Sequence, residues 1–345
     1  MRAVVTTGDG GVRIDSVPEP TLRNPQDAIV HVEHTGICGT DLHVVQGHLP
    51  GVPAGTVLGH EYVGTVLAIG SAVASINVGD RVVGTDFTAC GHCWHCRRQE
   101  HWQCPQRAFL GTGTSFGPAL AGAQAEQVLV PFAETVLAVL PRDLDPATAV
   151  LLCDNFPTGF AAAQKSRIGP GDVVAVVGGG MVGQLAAVAA QLHGASVVVL
   201  SDPVEARQAA ARNSGNLATA PDRLVPTLHD LTAGRGADVV IEAVGSAKGL
   251  DAALVACRPG GTVASVSAHV QERWSFPLAD AFAREITLQM VIGDPLRDRD
   301  RMVALATSGL LAPARQLMDT ADLSNAVDAY SDVAHSRALK IVLTV

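Results

Sequence analysis

The chain has 345 residues, of which 48% are hydrophobic and 17% are charged, and its formal net charge is -9. This length is sufficient for more than one hydrophobic core, so we expect two domains. The acidic balance, without a basic cluster containing interleaved aromatic residues, argues against nucleic-acid binding.

The chain start and the hydropathy pattern predict a cytoplasmic protein. The sequence from Met1 lacks the basic, apolar and small-residue order of a signal peptide, and no run of about eighteen apolar residues is long enough to span a bilayer. The seven cysteines are an odd number, and four of them crowd into one loop. This usage favours metal thiolates in a reducing compartment over disulfides.

Short alternating apolar runs in the first 83 residues are typical of antiparallel β-structure. Within this part, residues 36–61 bring a thiol, imidazoles and carboxylates into one short segment. Cys38 and His60 are ligand types that zinc prefers, so a metal site is one interpretation. Taken alone, Cys38 is equally well interpreted as a buried packing residue.

The next loop carries the strongest metal-binding pattern in the chain. Its cysteines follow the spacing C-x2-C-x2-C-x7-C and are Cys90, Cys93, Cys96 and Cys104. Four thiolates can surround one tetrahedral zinc and leave no open coordination position, so the predicted zinc is structural. An iron–sulfur cluster also takes four cysteines, but the single site and its flanking residues favour zinc.

The sequence changes from strand-like to alanine-rich and helical between residues 140 and 163, which predicts a domain junction. Cys153 and Asp154 lie at this junction and offer two alternative metal ligands. Active sites are common at such junctions. Asp154 is equally explained as an acidic residue that stabilises a helix N-terminus.

A glycine-rich turn follows a continuous apolar run at residues 172–177 and precedes an alanine-rich helix. Its pattern is G-x-G-x-x-G, with Gly178, Gly180 and Gly183 as the glycines and Met181 and Val182 in the same turn. In dinucleotide-binding folds the three glycines permit the tight turn, the approach of a pyrophosphate and the packing of helix on strand. The helix N-terminus attracts the phosphate charge.

A second buried strand, at residues 196–200, ends close to Asp202, about twenty residues beyond the glycines. A carboxylate at this position can accept hydrogen bonds from both ribose hydroxyls of NAD and would repel the 2′-phosphate of NADP. The sequence therefore favours NAD. Arg207, one helical turn onward, leaves some use of NADP open.

The alternation of strands and helices then continues and predicts a doubly wound parallel sheet. The predicted strands are 237–241, 262–266 and 286–292, and the predicted helices are 223–232 and 248–256. Gly245 and Val266 lie at C-terminal strand ends, where such sheets hold their ligand. Beyond residue 293, a helix and a final strand at residues 340–345 do not extend this sheet, so we assign them to the first domain.

In combination, these motifs resemble the zinc-dependent medium-chain alcohol dehydrogenase family, within the medium-chain dehydrogenase/reductase superfamily. The resemblance rests on Gly-Ile-Cys38-Gly-Thr40-Asp-Leu-His43, Gly-His60-Glu61, the four cysteines from Cys90 to Cys104, Asp154 with Pro-Thr158-Gly, and Gly178 to Gly183 with Asp202. It implies an α/β protein with a GroES-like β-rich catalytic domain and a Rossmann NAD-binding domain with a doubly wound parallel sheet. The implied bounds are 1–155 and 293–345 for the first domain, with a structural zinc lobe at about 88–106, and 156–292 for the second.

The resemblance also implies a catalytic zinc held by Cys38, His60 and Asp154, which gives two zinc ions per chain. Glu61 is then an alternating ligand or a carboxylate close behind the ligands. Many relatives have Cys at the third ligand position. The spacing favours Asp154 over the adjacent Cys153, and aspartate is a competent zinc ligand.

The remaining roles follow from the same resemblance. Thr40 and His43 form a proton relay, and Asp41 orients His60. Thr158 belongs to the cofactor site. Some relatives have a basic residue at the position of Gly39, where it touches the pyrophosphate, and Lys340 matches another basic position that supplies part of this charge.

The implied reaction is reversible hydride transfer between an alcohol and NAD. Polyol or amino-alcohol oxidation is the nearest alternative. Asp154-Asn-Phe-Pro-Thr-Gly, Gln124-Ala-Glu and Val130-Pro-Phe resemble the branch with glutathione-independent formaldehyde dehydrogenases, which admits aldehyde oxidation or dismutation. A zinc- and nucleotide-binding protein without turnover is the alternative from another class. Family members pair through an edge strand, so we expect a homodimer or homotetramer.

Overall fold

In a computed structural model, which describes residues 1–271 and 273–345, the chain forms two compact units. The first unit comprises Met1–Asp154 and Asp294–Val345, and the second comprises Asn155–Gly293. Among the described residues, no helix is both long enough and apolar enough to cross a membrane.

The N-terminal part of the first unit is built mainly of strands. They are β1 (Arg2–Thr6), β2 (Val12–Ser16), β3 (Ala28–Ile37), β4 (Tyr62–Ile69), β5 (Arg81–Val83), β6 (Gln127–Val130) and β7 (Ala138–Val139). The helices are short: α1 (Gly39–Val45), α2 (Trp94–Arg97), α3 (Ala133–Val136) and α4 (Pro146–Val150), with a 3-10 turn at His101–Gln103. Helix α4 begins where Asp145 accepts a hydrogen bond from the Thr148 amide at 2.9 Å and Pro146 occupies the first turn.

The second unit alternates strands with helices. Its strands are β8 (Val173–Val177), β9 (Val197–Ser201), β10 (Leu217–Thr219), β11 (Ala237–Glu242), β12 (Cys257–Ser265) and β13 (Thr287–Met290). Its helices are α5 (Asn155–Lys165), α6 (Met181–Leu192), α7 (Glu205–Asn213), α8 (Leu224–Thr232), α9 (Ala247–Ala256) and α10 (Leu278–Ala283), with a 3-10 turn at Pro221–Arg223. The six strands pair in the order β10-β9-β8-β11-β12-β13, and every pair is parallel. The predicted α/β class and doubly wound parallel sheet are confirmed.

The last part of the chain returns to the first unit. It contains α11 (Arg299–Thr307), α12 (Ala312–Arg315), β14 (Met318–Asp322), a 3-10 turn at Leu323–Asn325, α13 (Ala326–Ala334) and β15 (Lys340–Thr344). Strand β15 pairs antiparallel with β3, and the sheet runs β14-β15-β3-β4-β5-β7 with β6 also paired to β3. This pairing places Lys340 next to the segment that carries Cys38.

Each unit has its own apolar core. In the first unit, Val30, Tyr62 and Val66 are almost completely buried in one cluster with residues of β5 and β6. In the second unit, Ala175 and Val240 are fully buried between the sheet and its helices. Strands covered on both faces read as continuous apolar runs, which is the pattern that predicted β8 and β9.

Candidate active site

Four potential metal ligands meet in the first unit although they come from distant parts of the chain. Cys38 precedes α1, His60 and Glu61 precede β4, and Asp154 follows α4. One ligand atom from each residue lies within 4.8 Å of the others. This is the group that the sequence predicted around the catalytic zinc.

Asp41 fixes two members of this group through its two carboxylate oxygens. Oδ2 accepts the Cys38 backbone amide at 2.9 Å and thereby closes the first turn of α1. Oδ1 lies 3.3 Å from Nδ1 of His60. A carboxylate on one ring nitrogen orients the imidazole so that the other nitrogen faces the site. The arrangement agrees with the role that the sequence predicted for Asp41.

The other nitrogen, Nε2 of His60, points into the group. It lies 3.6 Å from Oδ2 of Asp154, which is too long for a hydrogen bond. The same oxygen lies 3.5 Å from Sγ of Cys38. A buried imidazole nitrogen facing a thiol and a carboxylate is a donor set that suits Zn²⁺.

The electrostatics of this group favour a cation. Burial lowers the pKa of His60, but Asp41, Asp154 and Cys38 outweigh burial and hold that pKa well above its ordinary value. Burial, followed by Asp154 and Glu61, raises the pKa of the Cys38 thiol. The site therefore attracts positive charge and needs it to keep Cys38 as a thiolate. A zinc ion fits both requirements.

Glu61 forms a buried ion pair on the far side of the group. Its Oε2 accepts from the Lys340 ammonium, and both side chains are almost inaccessible to solvent. Oε1 of Glu61 has no hydrogen-bond partner among the described residues. Burial raises the pKa of Glu61 despite the opposing charge of Lys340. The predicted role of Lys340 at the cofactor stays a prediction, and the contact seen for its ammonium is Glu61.

Cys153 differs from its neighbour Asp154 in where its side chain lies. Its Sγ accepts the Tyr62 amide at 3.1 Å and donates to the Tyr62 carbonyl at 3.4 Å. The side chain is fully buried, and burial raises the pKa of this thiol well above its usual range. A neutral thiol bonded to backbone is a packing residue, whereas Asp154 faces His60 and Cys38.

The four cysteines of the second predicted metal site also converge, with one sulfur of each within 4.8 Å of the rest. Sγ of Cys90 lies 3.6 Å from Sγ of Cys104 and 4.0 Å from Sγ of Cys96. Sγ of Cys93 accepts the Cys96 amide at 3.5 Å, and this bond, together with the thiols of Cys96, Cys90 and Cys104, lowers the Cys93 pKa to about 6. These sulfurs fit one tetrahedral zinc.

The relay residues predicted from the sequence lie on α1. Thr40 is in its first turn, and His43 is half-buried in its last turn. His43 contacts His48 through the two Nδ1 atoms at 3.2 Å. The sequence interpretation missed His48 and the Lys340–Glu61 pair. The position of His48, five residues after His43, was a signal in the sequence for their contact. No local pattern joins Glu61 to Lys340, because the two residues are far apart in sequence.

In the second unit, the glycine-rich turn lies between β8 and α6 as predicted. Gly178 has a positive φ of 101°. A Cβ on Gly183 would lie 1.9 Å from the Gly178 carbonyl oxygen, so only glycine permits this packing. A Cβ on Gly180 would meet nothing within 4 Å, which leaves the turn open to a ligand. Met181 and Val182 begin α6 at this turn.

Asp202 follows β9 and is 3% exposed. Its Oδ2 accepts the Gly179 amide and its Oδ1 accepts the Val204 amide, each at 2.8 Å. Nη1 of Arg207 lies 3.4 Å from Oδ2 of Asp202. The carboxylate is thus anchored to the glycine-rich turn, and Oδ1, which accepts the Val204 amide, has a second lone pair that can accept from a ribose hydroxyl.

Glu242 organises the other strand ends named from the sequence. Its Oε1 accepts the Val244 and Gly245 amides at 2.8 Å, and its carbonyl accepts the Val266 amide at 3.0 Å. Gly245 and Val266 therefore lie at neighbouring C-terminal ends of β11 and β12. Thr158 is buried on α5 in the same unit.

A β-rich unit with two groups of metal-ligand side chains and a second unit with a parallel sheet and glycine-rich turn define the class of metal-binding, nucleotide-linked oxidoreductases. Comparison with known proteins agrees. "Alcohol dehydrogenase GroES-like domain" matches residues 24–142, and "Zinc-binding dehydrogenase" matches residues 181–308. The chain belongs to the zinc-dependent medium-chain alcohol dehydrogenase family and is an oxidoreductase.

Individual relatives support this assignment over most of the chain. "Probable zinc-binding alcohol dehydrogenase" of Mycobacterium tuberculosis is 37% identical over 96% of this chain and 85% of its own length. The structure of alcohol dehydrogenase TADH from Thermus sp. ATN1 superimposes with a TM-score of 0.93, at 36% identity over 100% of this chain and 99% of that one. The GroES-like and Rossmann domains predicted from the sequence are confirmed.

Two further comparisons bear on branch and cofactor. "Glutathione-independent formaldehyde dehydrogenase" of Pseudomonas aeruginosa is 38% identical but covers 62% of this chain and 57% of its own length. The structure of a putative zinc-binding dehydrogenase from Sinorhizobium meliloti 1021, bound to NADP, has a TM-score of 0.85 and 29% identity over 100% of this chain and 99% of that one.

Proposed function

We propose that the chain is an NAD-linked zinc alcohol dehydrogenase that interconverts an alcohol with its aldehyde or ketone. The observation that carries this proposal is the convergence of Cys38, His60 and Asp154 on one point, with Asp202 anchored beside the glycine-rich turn in the second unit. In this reaction the alcohol carbon loses a hydride and the hydroxyl loses a proton. Formation of NADH from NAD and an alcohol tests the proposal.

We assign the catalytic zinc to Cys38, His60 and Asp154. Three protein ligands leave one position for substrate, as catalytic zinc sites require. Glu61 lies close enough to act as an alternating ligand, since one of its oxygens is within 4.8 Å of the other three ligand atoms, and its Oε2 is paired with the Lys340 ammonium. We leave Cys153 out of the set because its sulfur is hydrogen-bonded to the amide and the carbonyl of Tyr62.

We assign a second, structural zinc to Cys90, Cys93, Cys96 and Cys104. The four thiols satisfy a tetrahedral ion without a solvent ligand, so this site has no position for chemistry. Two zinc ions per chain follow from the two assignments. Elemental analysis of the purified protein measures this ratio directly, and one ion per chain would contradict one of the sites.

Zinc at the first site, when bound, acts as a Lewis acid that lowers the pKa of the substrate hydroxyl. The chain's own residues then have to move the released proton. The Thr40 hydroxyl both accepts and donates, so it can pass a proton to the imidazole of His43. Burial, and next the neighbouring His48, lower the His43 pKa below the ordinary 6.5, so His43 is a neutral acceptor at pH 7.

NAD is favoured over NADP by the position of Asp202. Its carboxylate is fixed by two backbone amides and faces the ribose side of the glycine-rich turn. A 2′-phosphate there would meet a buried negative charge. Arg207 is the residue that would accommodate such a phosphate in an NADP enzyme, and here its guanidinium contacts Asp202. Because one structural neighbour is bound to NADP, kcat/KM should be measured with NAD and with NADP on the same enzyme.

A panel of candidate alcohols, screened for NADH formation, identifies the substrate class. Simple primary and secondary alcohols are the first choice. Diols and amino alcohols are the second, and hydrated formaldehyde is included because of the resemblance of residues 154–159 to the formaldehyde dehydrogenase branch. A protein that binds zinc and nucleotide without turnover is disfavoured, since such a scaffold has no need for Thr40 and His43.

A further inference from the structure

The contact between His43 and His48 is built by the end of α1. Helix α1 closes at Gln46, and Gly47 has a φ of 72°, a left-handed conformation that turns the chain back. The His48 amide then donates to the His43 carbonyl at 2.9 Å. As a result, the two imidazoles face each other with ring centroids 5.4 Å apart and Nδ1 atoms 3.2 Å apart.

The two rings have different access to water. His43 is half-buried, whereas His48 is exposed. The opposite face of α1 is apolar, because Val44 and Val45 pack with Leu58 and Tyr330 in the core of the first unit. Burial is the largest cause that lowers the His43 pKa, and the charge of His48 is the second. The exposed ring of His48 therefore offers His43 a hydrogen-bonded path to water.

The bond between two Nδ1 atoms also constrains the protons. One Nδ1 must carry a hydrogen and the other must accept it, so the pair cannot hold a proton on both atoms and keep the bond. A proton that reaches His43 through its second nitrogen, Nε2, is accommodated by transfer of the Nδ1 proton to His48. The exposed ring then releases a proton to solvent.

We propose that His48 is the outer member of a two-histidine proton relay, which takes the proton from His43 and delivers it to water during alcohol oxidation. This inference rests on the proposed alcohol dehydrogenase function. His48 acts through His43, so it is a positioning and proton-exchange residue rather than a catalytic one. Its loss slows proton release without changing how alcohol or nucleotide binds.

The variants that test this relay are His48→Asn and His48→Ala in the full zinc-loaded enzyme. Asparagine keeps a polar atom near the position of Nδ1 but cannot titrate, whereas alanine removes both properties. His335→Asn is the matched control, because His335 is an exposed histidine whose Nδ1 contacts the Ser331 carbonyl at the end of α13. The substrate is whichever of ethanol, benzyl alcohol and 2,3-butanediol the wild type oxidises fastest.

In dilute buffer we expect both His48 variants to lose kcat roughly ten-fold, less than the ~10²-fold or more attributed to a full general base. The KM values for alcohol and NAD stay unchanged. Raising the concentration of PIPES, a proton acceptor near neutrality, restores kcat in both variants and leaves wild type and His335→Asn unaffected. Wild-type kcat for His48→Asn in dilute buffer, or a loss that buffer does not restore, would overturn the relay.

A second readout is independent of turnover. NMR titration of the ring protons should show a higher His43 pKa in His48→Ala than in wild type, because the lowering effect of the neighbouring charge is removed. An unchanged His43 titration would count against the relay. A wild-type chain that forms no NADH would overturn the proposed function and the relay together. Normal wild-type turnover with an unchanged kcat in the His48 variants would overturn the relay alone.

Discussion

Asp154 and Cys153 are adjacent in sequence but have opposite environments. The aspartate faces His60 and Cys38, and the cysteine is bonded to the Tyr62 backbone. The sequence named both residues as ligand candidates, and spacing relative to Thr158 favoured Asp154. The sequence could not predict which way each side chain points, because the orientation depends on how the turn after α4 packs against β4.

Replacement of Asp154 tests this ligand assignment. We expect Asp154→Ala to reduce the zinc content from two ions to one per chain and to abolish alcohol oxidation, since two remaining ligands hold zinc poorly. Cys153→Ala is the matched control and should keep both ions and most of the activity. Elemental analysis separates the outcomes. Loss of zinc in Cys153→Ala with retention in Asp154→Ala would reverse the assignment.

We propose that Asp202 determines the choice between NAD and NADP. Asp202→Asn removes the charge that repels a 2′-phosphate and keeps an acceptor oxygen for one of the two amides, those of Gly179 and Val204, that now donate to the carboxylate. Hydrogen bonds to charged groups contribute roughly 1.5–3 kcal/mol, so the NAD-to-NADP ratio of kcat/KM should fall about ten-fold or more. Asp230→Asn, an exposed change on α8, should leave the ratio unaltered. An unchanged ratio in Asp202→Asn would contradict this account.

The four-cysteine loop is a short element whose metal ligands are all local in sequence. Its spacing alone predicted a closed metal site, because all ligands lie within fifteen residues of sequence. Around the sulfurs, Phe87, Trp102 and Phe109 pack edge to face, with centroid distances of 5.2 and 6.0 Å between Trp102 and the two phenylalanines. The element is small and turn-rich, so metal and aromatic packing together have to hold it.

Removal of one sulfur should therefore destabilise the protein. We expect Cys96→Ala to cost more than ~4 kcal/mol, as losses of structural metal sites do, and to lower the thermal midpoint. Cys257→Ala is the matched control: this cysteine is also buried, but it lies in β12 of the second unit. Differential scanning calorimetry measures both. Equal midpoints for the two variants would show that the loop does not depend on its metal.

Helices and strands whose apolar residues follow a clear periodic pattern were predictable, and elements without such a pattern were not. The run before Gly178 and the helix after it matched β8 and α6 within a few residues. Strand β12 begins at Cys257, five residues earlier than predicted, because Pro259 and Gly260 are residue types typical of turns rather than strands. Strand β14 carries a mixed polar and apolar pattern, and its pairing with β15 defines it rather than its own sequence.

At the scale of the whole molecule, the candidate zinc site depends on residues distributed from position 38 to position 340. The sequence located the members of this site through family resemblance. Its assignment of Lys340 to the cofactor stays a prediction, and the contact seen for the Lys340 ammonium is Glu61. Burial of both charges is tolerated because each compensates the other. Such a pairing depends on the register of β15 on β3, which the sequence does not contain in any local pattern.

The edge of the parallel sheet leads to a prediction about assembly. Strand β13 is an edge strand, and Met290, its last residue, is 58% exposed. Uncovered edge strands pair readily with a second copy. We expect a dimer or tetramer in light scattering, and Met290→Lys should shift the population toward monomer. Leu231→Lys on α8, where the native leucine is 41% exposed, is the control. A monomeric wild type at micromolar concentration would refute this expectation.

The central claim is that zinc held by Cys38, His60 and Asp154 supports NAD-linked oxidation of an alcohol. The most direct measurement is NADH absorbance across a panel of alcohols, diols and hydrated aldehydes, with the enzyme as purified, after chelation and after zinc is restored. We predict NADH formation with at least one alcohol, its loss on chelation and its recovery with zinc. Two bound zinc ions and bound NAD, without NADH from any member of the panel, would contradict the account.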